Sequence, residues 1–180
     1  MLDSGEIDLM LDNNIMDDDI YDSIPICHEE LILAVPRTSA CNRGLKEYAC
    51  DSQDIKKNRR KKETEASVIL DAMKDEPFLF LRQGNDTRSR ADKICRAAGF
   101  EPKIILELEQ QLTAYNLSRA GIGPSFVGDL LVKGEADDDQ LWFYRIKSDG
   151  AVRQVYLHRR KHRYQSTALK EFLKMVDMDR

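Results

Sequence analysis

Pro77-Phe78-Leu79-Phe80-Leu81, followed by Arg82-Gln83-Gly84-Asn85-Asp86, opens the stretch that decides the fold. A short continuous apolar run bounded by turn residues suits a strand buried on both faces, as in a parallel sheet. The polar, glycine-containing residues after it read as a loop. Ala91, Ile94, Cys95 and Ala98 then fall at i, i+3, i+4 and i+7, one face of a helix. Asp86 or Thr87 can cap its start, and Gly99 sits where a C′ glycine ends it. Lys103-Ile104-Ile105-Leu106-Glu107-Leu108 reads as a second strand, Gln110 to Ala120 as a second helix ending at Gly121, and Ser125-Phe126-Val127 as the start of a third strand. This β-α-β-α-β order predicts parallel strands joined by right-handed crossovers. Ligands of such sheets bind outside the carboxyl ends of the strands, which here carry Arg82 to Asp86 and Glu107 to Gln110.

Upstream, Ile7-Asp8-Leu9-Met10-Leu11 reads as a short strand after a Gly5-Glu6 turn. A doubly wound domain normally has a strand and a helix before this point, so the chain is expected to be truncated at its N-terminus. Asp12 to Asp22 is acidic, with Asp17-Asp18-Asp19 at its centre, but lacks the alternating ligands, glycine and distal glutamate of a calcium loop, and reads as solvated. Ile24-Pro25-Ile26 and Glu30-Leu31-Ile32-Leu33-Ala34-Val35-Pro36 form two strands or one bent strand. Cys27 and His28 lie between them with no third partner placed by sequence, which favours a surface or hydrogen-bonded histidine over a nucleophile pair. Lys56-Lys57-Asn58-Arg59-Arg60-Lys61-Lys62 is a dense basic block. A nucleic-acid contact or a targeting signal is one reading. With no aromatics interleaved, an exposed, mobile insertion or a solvated helix face is the preferred one. Val68-Ile69-Leu70 and Met73 then make a short helical stripe.

Downstream come Gly128 to Val132, a polar segment from Lys133 to Gln140, a strand at Leu141 to Ile146, a Ser148-Asp149-Gly150 turn and a strand from Val152 to Leu157. His158 and His162 are four apart, metal spacing if helical. Without an acidic or thiol partner, the basic run His158 to Arg163 reads better as a loop. Ala168, Leu169, Phe172, Leu173 and Val176 close the chain with an amphipathic helix.

At 180 residues and 42% hydrophobic content the chain can bury a real core, and its 33% charged content implies a well-solvated surface. A net charge of −4 argues against a nucleic-acid-binding module. No apolar segment approaches the ~20 residues of a membrane span, and no apolar signal region follows Met1. Cys27, Cys41, Cys50 and Cys95 form no CxxC pair and read as thiols in a reducing cytoplasm. There is no P-loop, GxGxxG, HExxH or GxSxG, no internal repeat, and no constellation of base, nucleophile and orienting residue. No enzyme activity, metal or cofactor is therefore expected.

Several of these pieces are familiar as an ordered set. Gly5-Glu6-Ile7-Asp8-Leu9, Pro25-Ile26 and Glu30 to Pro36 resemble the first lobe of the effector-binding domain of LysR-type transcriptional regulators. Pro77 to Leu81, Ala98-Gly99-Phe100-Glu101-Pro102 and Ala120-Gly121-Ile122-Gly123 resemble its second lobe, and Arg153-Gln154-Val155-Tyr156-Leu157 with the Ala168 to Phe172 helix resembles the return to the first. The resemblance covers nearly the whole chain. It implies an α/β, two-lobed, periplasmic-binding-protein-like (type II) fold, with mixed sheets and a two-strand hinge.

Mapped onto this chain, the first lobe would be residues 1–80 with 148–180 and the second 81–147. A small effector would sit in the cleft between lobes, at Asn13 and Asn14, at Arg82, Gln83, Gly84 and Asn85, at Leu108, Glu109 and Gln110, and at Gly123, Pro124 and Ser125. Pro124 and Gly128 depart from the family's pattern, the basic block is an insertion, and the absent first strand would leave the pocket incomplete. The family's intact members carry a winged helix-turn-helix that binds DNA, and act as dimers or tetramers; this chain would touch DNA only through such a segment. Arg82 can pair a ligand carboxylate, or it can brace the lobe against Glu107 or Asp86. Glu107 and Glu109 pull toward an amine-bearing ligand. The alternatives on the same scaffold are a solute-binding protein, disfavoured without a signal peptide or disulfides, and an enzyme.

Overall fold

The computed structural model describes residues 1–62, 64–137 and 139–178. In chain order the elements are β1 (Met10–Asp12), β2 (Tyr21–Pro36), α1 (Ser52–Lys56), α2 (Ala66–Asp71), β3 (Pro77–Leu81), α3 (Asp86–Ala97), β4 (Lys103–Leu108), α4 (Gln111–Arg119), β5 (Ser125–Gly128), α5 (Asp129–Gly134), β6 (Leu141–Arg145), β7 (Val152–Arg160) and α6 (Thr167–Met178). They fall into two compact units: Met1–His28 with Arg153–Arg180, and Glu29–Val152. These bounds differ from the expected 1–80 with 148–180 and 81–147. Residues 29–80 join the second unit because the second half of β2 pairs with β5 and β6, and β3 pairs with β4 and β5. Glu63 and Asp138, in the expected polar stretches, and Asp179 and Arg180, at the end of the expected first lobe, lie outside the described residues.

The β-α-β-α-β reading holds. β3 runs parallel to both β4 and β5. On the other side, β5 and β6 flank β2 and run antiparallel to it, so the sheet of unit 2 is mixed, in the order β6-β2-β5-β3-β4. Leu31, Ile32, Leu33, Ala34 and Val35 have no exposed surface, because core lies on both faces of β2. Leu31, Leu33 and Val35 pack with Ile69, Leu70, Phe78 and Ile94. Ile32 and Ala34 pack with Ile55, Tyr115, Val127 and Phe143. The strand's period of two thus feeds two cores at once, and fully burying each large side chain contributes roughly 1.5–3 kcal/mol. α3 turns Ala91, Ile94 and Cys95 inward as its stripe predicts. Its cap is Asn85 rather than Asp86 or Thr87: the Asn85 side chain accepts from the Thr87 N–H at 2.9 Å.

In unit 1, β1 pairs antiparallel with β7, which also neighbours the first half of β2. The strand read at Ile7 to Leu11 is shifted to Met10–Asp12. The segments around Pro25 and Leu33 form a single 16-residue strand. His158 lies on β7 rather than in a loop; it is fully buried, with Nδ1 2.8 Å from the Ser23 hydroxyl. His162 follows in a turn with φ +57°, so the two histidines share no helix face.

The basic block is exposed from Lys57 to Lys62, as expected, and only Lys56 belongs to a helix. Lys56 ends α1, which is anchored by the fully buried Ile55 and by a capping box between Asp51 and Asp54. Lys56 then pairs with Asp137 at 2.7 Å, Lys61 with Asp54 at 3.4 Å, Arg60 with Glu30 at 3.5 Å and Lys62 with Glu47 at 2.8 Å. Among the described residues no helix is long and apolar enough to cross a membrane.

Candidate functional site

The carboxyl edge of the unit 2 sheet gathers most of the polar chemistry. After β3, Arg82-Gln83-Gly84-Asn85 closes a tight turn, with the Asn85 N–H donating to the Arg82 carbonyl at 3.2 Å. Gly84 holds φ +88°, which favours glycine at the third turn position. The Arg82 N–H donates to the Leu108 carbonyl at 2.9 Å, bringing the ends of β3 and β4 together. The Arg82 side chain pairs with Glu109, and both are mostly exposed. Gln110 is the N-cap of α4 and makes no side-chain capping bond. Seven expected contacts, Arg82, Gln83, Gly84, Asn85, Leu108, Glu109 and Gln110, thus share one edge.

Two residues that the sequence reading passed over organise this edge. Gln111 donates through Nε2 to the Thr87 hydroxyl at 2.6 Å and accepts through Oε1 from the Gly128 N–H at 2.8 Å. One side chain therefore ties the start of α3, the start of α4 and the end of β5. Arg88, nearly buried, donates to the Leu81 carbonyl at 2.9 Å, to Glu107 at 2.7 Å and to both Asp92 oxygens at 2.9 Å. Burial works against its charge, but Glu107 and Asp92 more than offset this, and its pKa stands raised. Arg88, not Arg82, braces β3 against Glu107. Among the described residues Arg82 is held by one exposed carboxylate, a weak pairing.

Toward β2 the same edge continues as closed ion pairs. Glu30 pairs with Arg145, both nearly buried, and its N–H donates to Asp129 at 2.8 Å. Arg90 meets Glu29 at 3.1 Å and donates to the carbonyls of Gly150 and Ala151 at 3.0 and 2.7 Å. These ion pairs fix the rim, with the half-exposed Arg60 also reaching Glu30, and Arg82 stands on the same edge as an exposed guanidinium.

Gly123 and Pro124 precede β5 and Ser125 begins it, so the three lie at the amino edge of the parallel strands, away from this group. A Cβ on Gly123 would lie 1.8 Å from the Pro77 carbonyl oxygen, Pro124 accepts from the Leu79 N–H at 2.8 Å, and the Ser125 hydroxyl is buried against Ser118 at 2.8 Å. Asn13 and Asn14 belong to unit 1, in the turn after β1, where the Asp12 carboxylate accepts from the Asn13 N–H at 2.6 Å and the Asn14 side chain at 3.0 Å. Burial raises the Asp12 pKa, but the Asn14 amide and the two backbone donors bring it below its ordinary value.

Comparison with known proteins agrees with this architecture. The LysR substrate binding domain family matches residues 1–178, and the chain belongs to that family. The mixed α/β architecture is that of the family's two-lobed, periplasmic-binding-protein-like fold. One relative, the uncharacterized HTH-type transcriptional regulator YybE of Bacillus subtilis (strain 168), is 26% identical over 175 residues, 97% of this chain and 52% of its own length. The chain spans about half the length of the curated relatives it matches. Among solved structures, the regulatory domain of CcmR from Synechocystis PCC6803 in complex with 2-PG superposes with a TM-score of 0.71 at 16% identity, over 99% of this chain and 76% of that one. The BenM effector binding domain with its effector benzoate gives 0.64 at 19% identity, over 99% and 71%.

Proposed function

We infer that this chain is the sensing part of an HTH-type transcriptional regulator and that it responds to a small organic acid held at the carboxyl edge of unit 2. The observation that carries this reading is the exposed Arg82 guanidinium at the ends of β3 and β4, paired with the exposed Glu109, within a domain of the LysR substrate-binding family. A guanidinium fork suits a carboxylate, and the backbone N–H groups that begin α3 and α4 favour negative charge nearby. Benzoate, the effector of BenM, is such an acid. Glu109 is the partner an incoming carboxylate would displace. In this reading the intact regulator is a cytoplasmic dimer or tetramer that touches DNA through a helix-turn-helix segment, and the effector leaves chemically unchanged.

A thermal-shift screen of organic acids tests it. An acid at a hundredfold excess over its Kd should stabilise the fold by about 2.7 kcal/mol. Arg82→Ala should abolish most of that shift and change the stability of the free protein by only about 0–1 kcal/mol. An unchanged ligand shift in Arg82→Ala, with a marked fall in free-protein stability, would overturn the reading and return Arg82 to a bracing role.

A further inference from the structure

The opposite side of unit 2 holds a cavity of about 420 Å³ that the proposed effector edge does not use. It is walled by the turn after β2, the 3₁₀ turn Ala40–Gly44 and the beginning of β6. Its charge is all of one sign: Arg37, Arg43 and Lys46 line it, and no Asp or Glu does. Among the described residues none of these three cations is paired with a carboxylate, whereas four of the basic-block cations named above are. Like charges around one cavity repel, and an anion between them relieves that repulsion.

The rest of the wall is rigid and partly apolar. The Arg37 guanidinium lies over the Trp142 ring, 3.8 Å from its centre, and its Nε donates to the Leu141 carbonyl at 3.1 Å, so its two Nη groups are not committed to that bond. Buried Asn42 donates to the carbonyls of Pro36, Arg37 and Ser39 at 2.8, 3.2 and 3.0 Å, and accepts from the Tyr144 hydroxyl at 2.6 Å. Every polar atom of the Asn42 amide is thereby spent on shaping the wall. Ala40, Ala49 and the Trp142 indole supply apolar surface.

We propose that this cavity is a second ligand site, for a small organic anion whose phosphate or carboxylate meets Arg37, Arg43 and Lys46 while its apolar body lies against Trp142 and Ala49. Guanidinium groups match oxyanions through paired N–H donors, and the indole beside Arg37 adds an apolar contact for the ligand body. Trp142 is the only tryptophan of the chain, so its emission reports the site directly. The experiment titrates phenyl phosphate, with inorganic phosphate in a parallel arm, and follows Trp142 fluorescence. Phenyl phosphate should give a saturable change, and inorganic phosphate should bind at least tenfold more weakly. The double variant Arg43→Ala/Lys46→Ala, both exposed in the fold, should weaken phenyl phosphate at least tenfold with an unaltered Tm. Arg82→Ala should leave this binding unchanged, and the double variant should leave the organic-acid thermal shift unchanged, so the two sites fail independently. No saturable change at millimolar phenyl phosphate, equal affinity in the double variant, or a response only to a short DNA duplex would each overturn the proposal.

Discussion

At the carboxyl edge of unit 2, the strands are joined by side chains: Gln111 spans Thr87 and Gly128, and Arg88 spans Leu81 and Glu107. At the amino edge the same strands are joined by close backbone approach, with Gly123 against Pro77 and the Pro124 carbonyl bonded to the Leu79 N–H. The difference follows from chain direction. Helices start at the carboxyl edge, where their first N–H groups need partners and polar side chains supply them. They end at the amino edge, where short turns lead straight into the next strand and only small side chains such as Ser118 and Ser125 fit between them. The first kind of edge leaves room for different side chains, whereas at Gly123 the second leaves none beside the Pro77 carbonyl.

Substitutions at the two edges should therefore differ in cost. Gly123→Ala should have the largest effect, about 3 kcal/mol, because the new methyl group collides with the Pro77 backbone rather than with a movable side chain. Urea denaturation measures it, and a cost below ~1 kcal/mol would mean that the amino edge is no tighter than the other. Arg88→Met should cost about 1–3 kcal/mol in the same assay, since it leaves the buried Leu81 carbonyl without its donor. Gln111→Leu should cost least, on the order of 1 kcal/mol, and should show locally: the Gly128 amide should exchange with solvent faster while the amides of β2 keep their protection. If Gln111→Leu instead unfolds the domain, the carboxyl edge is a packed structural element and not an adaptable rim.

The parallel core was legible in the sequence because each of its pieces carries its own signal. The apolar run of β3 is bounded by Pro77 and Gly84, α3 keeps its stripe from Ala91 to Ala98, and Gly99 stops it. The length of β2 was not legible: Cys27-His28-Glu29 puts polar residues in mid-strand, and their partners, among them Arg90 for Glu29, lie far away in sequence. His158 was masked in the same way by the basic run around it, although the fold buries it beside Ser23. The shared edge of Arg82 to Asn85 and Leu108 to Gln110 was legible because these residues end or follow their strands. Gly123 to Ser125 were grouped with them by motif, yet in a parallel sheet a residue before a strand and a residue after its neighbour lie at opposite edges. Gln111 carried no signal beyond its place at a helix start, since its role depends on a second helix start and a strand end that only the fold brings to it.

The direction of the Gln111 bridge has one more effect. A backbone N–H can only donate, so Gly128 claims the amide oxygen and turns the NH₂ toward Thr87. The Thr87 hydroxyl, receiving that hydrogen, keeps its own proton to give elsewhere. Proton order along this short relay is thus set from the end of β5, and the hydroxyl at the start of α3 is biased to act as a donor. A substitution that reverses the relay, such as Gln111→Glu, would preserve its shape while removing the hydrogen that Thr87 receives.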